Sequence, residues 1–258
     1  MNGNLSTIKK IKMENKNEYL FGMHPVKEAL EAGKRIEKVM FRQGLDGVQF
    51  HNLLKMLQDA GVSVQFVPEE RLNRVTKGRH QGVIAMISQV EYVSIERIVE
   101  NALAEDSAPI VILLDGVSDV RNFGATARSA ECAGAKGIIL PAKGGAAVNA
   151  DAIKASAGAL LRVPAAKVSN LRTAVYYLIE SGFQIVAATE RGEVSIYEID
   201  FKKPTAIIMG SEDKGVSDTL LSLSEFKAKI PQSGKIGSLN VSVAASVIMF
   251  EAMRQKGV

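Results

Sequence analysis

Two loops in the last quarter of the chain gather the side chains best suited to chemistry. The first is Met209-Gly210-Ser211-Glu212-Asp213-Lys214-Gly215-Val216-Ser217, and the second is Ile230-Pro231-Gln232-Ser233-Gly234-Lys235-Ile236-Gly237-Ser238-Leu239-Asn240-Val241-Ser242-Val243-Ala244. Each follows a short apolar run, Ala206 to Met209 and Phe226 to Ile230, and each leads into a predicted helix. Both therefore belong at the carboxyl ends of strands, where open α/β sheets bind their ligands. The second loop enters a helix rich in Ser, Asn and Val, types that disfavour helix interiors. Local stability did not select these residues. A bound small molecule, a partner surface, or both, explains them better.

Several standard signatures fail on inspection. No G-x-G-x-x-G follows the strand ending at Asp115, so a dinucleotide fingerprint is absent. Gly210 and Gly215 have the glycine gap of a phosphate loop, but Val216 occupies the position of the required Lys. That excludes ATP or GTP hydrolysis by this motif. Ser211-x-x-Lys214 mimics the start of a serine–lysine hydrolase, yet no companion motif follows.

The elements that must position these loops alternate along the chain. From Pro109 onward, apolar runs at Ile110–Leu114, Gly137–Leu140, Phe183–Ala188, Thr205–Met209 and Lys227–Ile230 predict strands. Helical patterns fall between them at Asn122–Ala133, Asp151–Ala157, Leu171–Glu180, Ser217–Leu223 and Leu239–Arg254. Such alternation predicts a parallel sheet covered on both faces. Residues 19–90 read as a separate small α/β unit. Its helices are Pro25 to Ala32, Phe50 to Ala60 and one opened by Pro68; its strands are Lys38 to Phe41, Val62 to Val67 and Gly82 to Ile87. Residues 91–108 read as a linker with a short helix around Ser94 to Ala104, and residues 1–18 as a disordered polar tail.

Composition narrows the function class. The 258 residues include no apolar run long enough for a membrane helix, and the amino terminus lacks the apolar stretch of a secretory signal. Cys132 is the single cysteine, which excludes an intrachain disulfide and fits a cytoplasmic setting. His24, His51 and His80 are scattered without metal-site spacing, so no metal is expected. Residues 1–90 carry 14 basic against 9 acidic side chains, whereas the remainder carries 18 against 19. The basic excess suggests a polyanionic partner at that end, although solvated lysines alone would give the same balance.

A third segment completes a pattern: Asp115-Gly-Val-Ser-Asp-Val-Arg-Asn122-Phe-Gly124-Ala125-Thr-Ala-Arg128-Ser-Ala130. With the two loops it closely resembles the three motifs of the SpoU family of RNA ribose 2′-O-methyltransferases, in the SPOUT superfamily. The resemblance covers residues 109–258 and includes Lys154-Ala-Ser156-Ala-Gly158-Ala, similar to the family's small-residue helix. Phe21-Gly22-Met-His24-Pro-Val26-x-x-Ala29-Leu30 and His80-Gln81-Gly82-Val83 resemble the substrate-binding domain of bacterial RlmB-like 23S rRNA guanosine-2′-O-methyltransferases. The chain departs at Val120, where many members have Pro, and at Asp213-Lys214, which replace smaller residues.

The resemblance implies a fold, a cofactor and a set of site residues. The fold is a carboxy-terminal parallel-sheet SPOUT domain with a trefoil knot, preceded by an α/β domain like that of kink-turn-binding ribosomal proteins. The cofactor is S-adenosylmethionine, with contacts at Gly210, Gly215, Ile230 and Leu239 and Thr189 near the rim. The reacting site is lined by Asn122, Arg128, Glu212, Ser238 and Asn240. RNA contacts are expected at Lys77, Arg79, His80, Arg121 and Arg128, and the protein is expected to be a homodimer through its terminal helix, where Ala244, Ala245, Ser246 and Met249 allow close packing. The implied substrate is a guanosine of large-subunit rRNA. A tRNA ribose methyltransferase or a catalytically silent RNA-binding homologue stands as the alternative.

Methyl transfer to a ribose hydroxyl is an in-line displacement, to which positioning contributes about 7–11 kcal/mol. Guanidinium keeps its proton in proteins, so Arg128 suits a clamp on the target phosphate and alkoxide better than a general base. Taken singly, Asn122 and Ser217 read as helix caps, Glu212 as a solvated charge, Arg128 as a surface cation, and Ser242 and Ser246 as small residues at helix contacts. Their joint appearance, in order and beside matching glycines, favours the functional reading.

Overall fold

The computed structural model describes residues 19–76, 79–88 and 90–257. The expected tail at 1–18 and the expected RNA contact Lys77 lie outside the described residues. The chain divides into two compact units, the first up to Glu91 together with Val148–Ala150, the second comprising Tyr92–Ala147 and the chain from Asp151 onward.

In the first unit the strands are β1 (Tyr19–Phe21), β2 (Ile36–Arg42), β3 (Ser63–Val67) and β4 (Val83–Ile87), and the helices are α1 (Met23–Glu31), α2 (Val48–Asp59) and α3 (Glu69–Val75). The sheet order is β1-β4-β2-β3. Only β2 and β3 run parallel; β4 pairs antiparallel with both β1 and β2. Strand β1, three residues long, carries too little periodicity to be read from sequence. Val39 and Phe41 on one face of β2 meet Val26, Ala29, Phe50, Leu53 and Leu57 of α1 and α2 in a buried cluster. This is the outcome of the 3.6-residue apolar spacing of α2 against the two-residue spacing of the strand.

The second unit contains helix α4 (Ile95–Glu105), strands β5 (Ile110–Asp115), β6 (Gly137–Pro141), β7 (Ala165–Val168), β8 (Gln184–Ala188), β9 (Val194–Ser195), β10 (Thr205–Gly210) and β11 (Phe226–Lys229), and helices α5 (Val120–Cys132), α6 (Ala150–Ala155), α7 (Leu171–Glu180), α8 (Asp218–Leu221) and α9 (Val241–Gln255). The seven strands are ordered β7-β6-β5-β10-β8-β11-β9, and every pairing is parallel. All carboxyl ends therefore point to one edge. Strand β10 is buried at every position between β5 and β8, as its unbroken apolar sequence requires.

The segment 91–108, read from sequence as a linker, is packed structure. Ser94 caps α4 by accepting from the Arg97 N–H, and Ile95, Ile98, Val99 and Ala102 enter the same core as Val111 and Leu113 of β5. The short helix expected around Ser94 to Ala104 is present, with its acidic residues outward, but it belongs to the core and not to a linker. Strand β7 was missed because Ala-Ala-Lys-Val has little apolar weight; it is held by pairing with β6.

Helices α5, α6 and α9 pack closely. A Cβ on Gly124 would lie 2.9 Å from the Ala152 carbonyl oxygen and 3.0 Å from the Ser156 N, so only glycine permits this approach of α5 to α6. Ser246 Oγ donates to Ser129 Oγ at 2.7 Å, joining α9 to α5. Of the residues expected at a dimer contact, Ala245 and Met249 are buried in the chain's own core and Ser246 is used internally. The apolar side chains that α9 leaves exposed are Val243 and Phe250. Among the described residues, no helix is long and apolar enough to cross a membrane.

Candidate active site

The site is assembled where β5, β8, β10 and β11 end. Helix α5 begins just beyond β5. Asp119 is its cap: one carboxylate oxygen accepts from the N–H groups of Arg121 and Asn122, both at 2.9 Å. Asn122, expected to cap, instead lies within the first turn, and its side chain is free to reach elsewhere. Val120 holds the first helical position, where a proline would forfeit no helix hydrogen bond.

The first loop is a closed turn built on backbone. Gly215 N–H donates to the Ser211 carbonyl at 2.8 Å, and Ser211 N–H returns a bond to Gly215 at 3.2 Å. Gly215 has φ +68°, the left-handed region that favours glycine. Gly210, the last residue of β10, passes so close beneath that any Cβ would overlap Gly215 and Val216 backbone atoms. Ser217 sits at the cap position of α8 but makes no side-chain cap; its own N–H donates to Asp115 Oδ2 at 2.7 Å, across 102 residues of chain. These bonds fix the turn that displays Glu212.

The second loop ends in a true cap. Asn240 Oδ1 accepts from Ser242 N–H at 3.0 Å and from Ser242 Oγ at 2.6 Å. Its Nδ2 donates to Glu212 Oε1 at 2.7 Å and to Asn122 Oδ1 at 3.0 Å, while Asn122 Nδ2 donates to the same Glu212 oxygen at 2.8 Å. Three residues from three distant segments thus close a triangle, with two amide donors converging on one carboxylate oxygen. Glu212 Oε2 makes no hydrogen bond among the described residues.

Beside the triangle opens a cleft of about 590 Å³. Its walls include Thr189, Gly210, Glu212, Gly215, Ile230, Ser238, Leu239 and Asn240, each a candidate site residue from the sequence. The volume lies within the range of small-molecule sites, and the close backbone approach at Gly210 makes a cradle that any side chain would fill. A nucleoside-sized cofactor fits these features. Glu190, Asp213 and Asp218 add negative charge to the walls, with Arg191 and Lys214 opposing it.

The cationic residues are placed differently. Arg128 and Arg121 are exposed, line no part of the cleft, and have no side-chain partner among the described residues. Arg128 therefore does not join the triangle. In the first unit, Arg79 is exposed but His80 is buried. His80 Nδ1 accepts from Gly82 N–H at 3.1 Å and Nε2 meets Asn73 Oδ1 at 3.0 Å. With both ring nitrogens occupied, His80 holds the Gln81–Gly82 turn, where both residues have positive φ, and the expected RNA contact is corrected to this role. Sequence reasoning missed Asp115, Asp119 and Ser242 as site supports; only Asp119 carried a readable signal, that of an acidic cap one residue before a helix. Among the described residues, no group of three or more His, Cys, Asp or Glu could hold a metal ion.

Comparison with known proteins identifies the family. The family model described as SpoU rRNA Methylase family matches residues 109–250, and that described as RNA 2′-O ribose methyltransferase substrate binding matches residues 19–93. A Staphylococcus saprophyticus protein named as a TrmH family tRNA/rRNA methyltransferase is 33% identical over 92% of this chain and 95% of its own length. An AdoMet-bound rRNA methyltransferase from Sinorhizobium meliloti is 28% identical, with a TM-score of 0.60 over 92% of this chain and 87% of that one. The TrmH/SpoU tRNA modifying enzyme of A. aeolicus is 31% identical, with a TM-score of 0.55 over 63% of this chain and 82% of that one. The chain belongs to the SpoU rRNA methylase family: it is an RNA methyltransferase whose cofactor is S-adenosylmethionine.

Proposed function

We propose that the protein methylates the 2′-oxygen of a guanosine ribose in large-subunit rRNA. The observation that carries this reading is the Asn122–Glu212–Asn240 triangle at the side of the cleft lined by Gly210, Ile230 and Leu239. The cofactor supplies the methyl group. The chain's own residues hold the reacting oxygen. Glu212, fixed through Oε1, has Oε2 available to accept the ribose hydroxyl, and the asparagine amides prevent the carboxylate from turning away. Exposed Arg128 and Arg121 grip phosphate of the incoming RNA, with Arg128 remaining charged throughout and acting as a clamp. Main-chain groups around Gly210, Ile230 and Leu239 read the adenine, Gly215 shapes that turn, and Thr189 and Ser238 close the rim.

Residues 19–90 serve as the RNA-docking domain, with a fold like that of kink-turn-binding ribosomal proteins; Arg79 and Lys77 are its proposed phosphate contacts. The separate amino-terminal domain is the ground for preferring rRNA, since the likeness to the A. aeolicus tRNA modifying enzyme covers only 63% of this chain. The segments around β10, β11 and α9 form the trefoil knot of the superfamily. Exposed Val243 and Phe250 on α9 support a homodimer built on that helix.

Incubating the purified protein with labelled S-adenosylmethionine and separated rRNA and tRNA fractions tests the substrate. Label is expected in large-subunit rRNA at an alkali-resistant ribose; label confined to tRNA would overturn the rRNA assignment. Asn240→Ala should lower turnover about a hundredfold, the scale for removing a preorganised donor.

A further inference from the structure

We propose that Ser242 is a positioning residue that sets the direction of every hydrogen bond in the triangle. The inference rests on the proposed role of Asn122, Glu212 and Asn240. Its basis is the use of the Ser242 hydroxyl. This residue is 8% exposed and is the second residue of α9, inside the turn that Asn240 caps. Its hydroxyl is turned back onto the cap. Its single proton goes to Asn240 Oδ1 at 2.6 Å, beside the Ser242 N–H at 3.0 Å.

An asparagine amide has two faces, one accepting and one donating. With two donors committed to Oδ1, Nδ2 must turn to Glu212 Oε1 and Asn122 Oδ1. The reversed amide would set Oδ1 against both of those oxygens, acceptor against acceptor, and would leave the Ser242 donors facing an NH₂ group. Asn122 is then fixed in turn: its Oδ1 is taken by Asn240, so its Nδ2 faces Glu212. The hydroxyl, which lines no part of the cleft and does not touch the carboxylate, therefore shares with the Ser242 N–H the task of keeping the Asn240 amide nitrogen turned toward Glu212. A serine that merely packed or capped would leave this ordering to Asn240 alone.

The test compares wild type, S242A, S242T, N240A and the S242A/N240A pair in the full-length protein. Single-turnover transfer to rRNA and calorimetric binding of S-adenosylmethionine are measured for each. S242A should lose ~5–10-fold in the transfer step, the worth of one hydrogen bond, with cofactor affinity within about twofold of wild type. S242T, which restores the hydroxyl, should recover most of that loss. In the N240A background, S242A should cost nothing further, since its effect passes through the amide. Unchanged transfer in S242A while N240A is impaired would overturn this inference alone. Parallel losses of transfer and cofactor affinity, or an additive double variant, would also overturn it by assigning Ser242 to general packing. Wild-type transfer by N240A would overturn both this inference and the reading of the triangle.

Discussion

The two loops that flank the cleft are built on opposite principles. Residues 210–217 form a turn closed by reciprocal backbone bonds, a left-handed glycine and a bond from Ser217 to Asp115. Residues 231–239 make no backbone–backbone hydrogen bond within the described structure, and each is exposed, including Ile236 at 81%. The first loop is preorganised and presents Glu212 in a fixed place. The second keeps its main-chain donors and acceptors unspent until Asn240, where order resumes at the α9 cap. One loop supplies geometry before binding; the other supplies hydrogen-bonding capacity that a ligand can take up.

The largest expected effect is on hydrogen exchange. Adding S-adenosylmethionine should slow exchange of the amides at 232–239 by more than about tenfold, while those at 211–217 change little. Equal protection of both loops would erase the contrast. Next come the glycines. Gly210→Ala forces a Cβ into the Gly215–Val216 backbone and should cost about 1–3 kcal/mol, read as a fall in Tm with weakened cofactor binding. Gly237→Ala meets nothing within 4 Å and should stay within about 0.5 kcal/mol of wild type. A destabilised Gly237→Ala would mean that the second loop is packed after all.

The smallest effect lies at the far end of α9, away from both loops. Burial pushes the Asp106 carboxyl up, but the Ala108 N–H, the Lys256 ammonium at 3.0 Å and nearby Lys136 together hold it below its ordinary value. Its stabilisation is present above the unfolded-state carboxylate pKa and is lost as pH falls through the lower folded-state value. Acid unfolding monitored by circular dichroism should therefore show a loss of about 0.5–1 kcal/mol below about pH 4, absent in Asp106→Asn. A change in cofactor affinity over that step would link the two ends of α9 and weaken the loop-based account.

Much of this was legible from residue order. The strands with dense apolar runs, such as β5, β8 and β10, were visible because burial on both faces demands them, and their ends located the cleft. Thr189, Gly210, Gly215, Ile230, Ser238 and Leu239, distant in the chain, line it together. Elements whose stability comes from neighbours were not legible. Strand β7 has an alanine-rich sequence and depends on β6, and α4, although expected as a short helix around Ser94 to Ala104, was not expected to pack into the core.

The sequence by itself determined the kind of site: parallel strands, glycine turns at their ends, and polar side chains that local propensity does not explain. Local chemistry can specify these because φ preference, apolar spacing and hydrogen-bonding type belong to individual residues and near neighbours. Only the tertiary structure decided which partners each polar group took. Asn122 left the cap to Asp119, His80 turned inward, Arg128 stayed outside, and Ser242 gave its proton to Asn240. Those choices depend on distances between segments up to 118 residues apart, which no local pattern encodes.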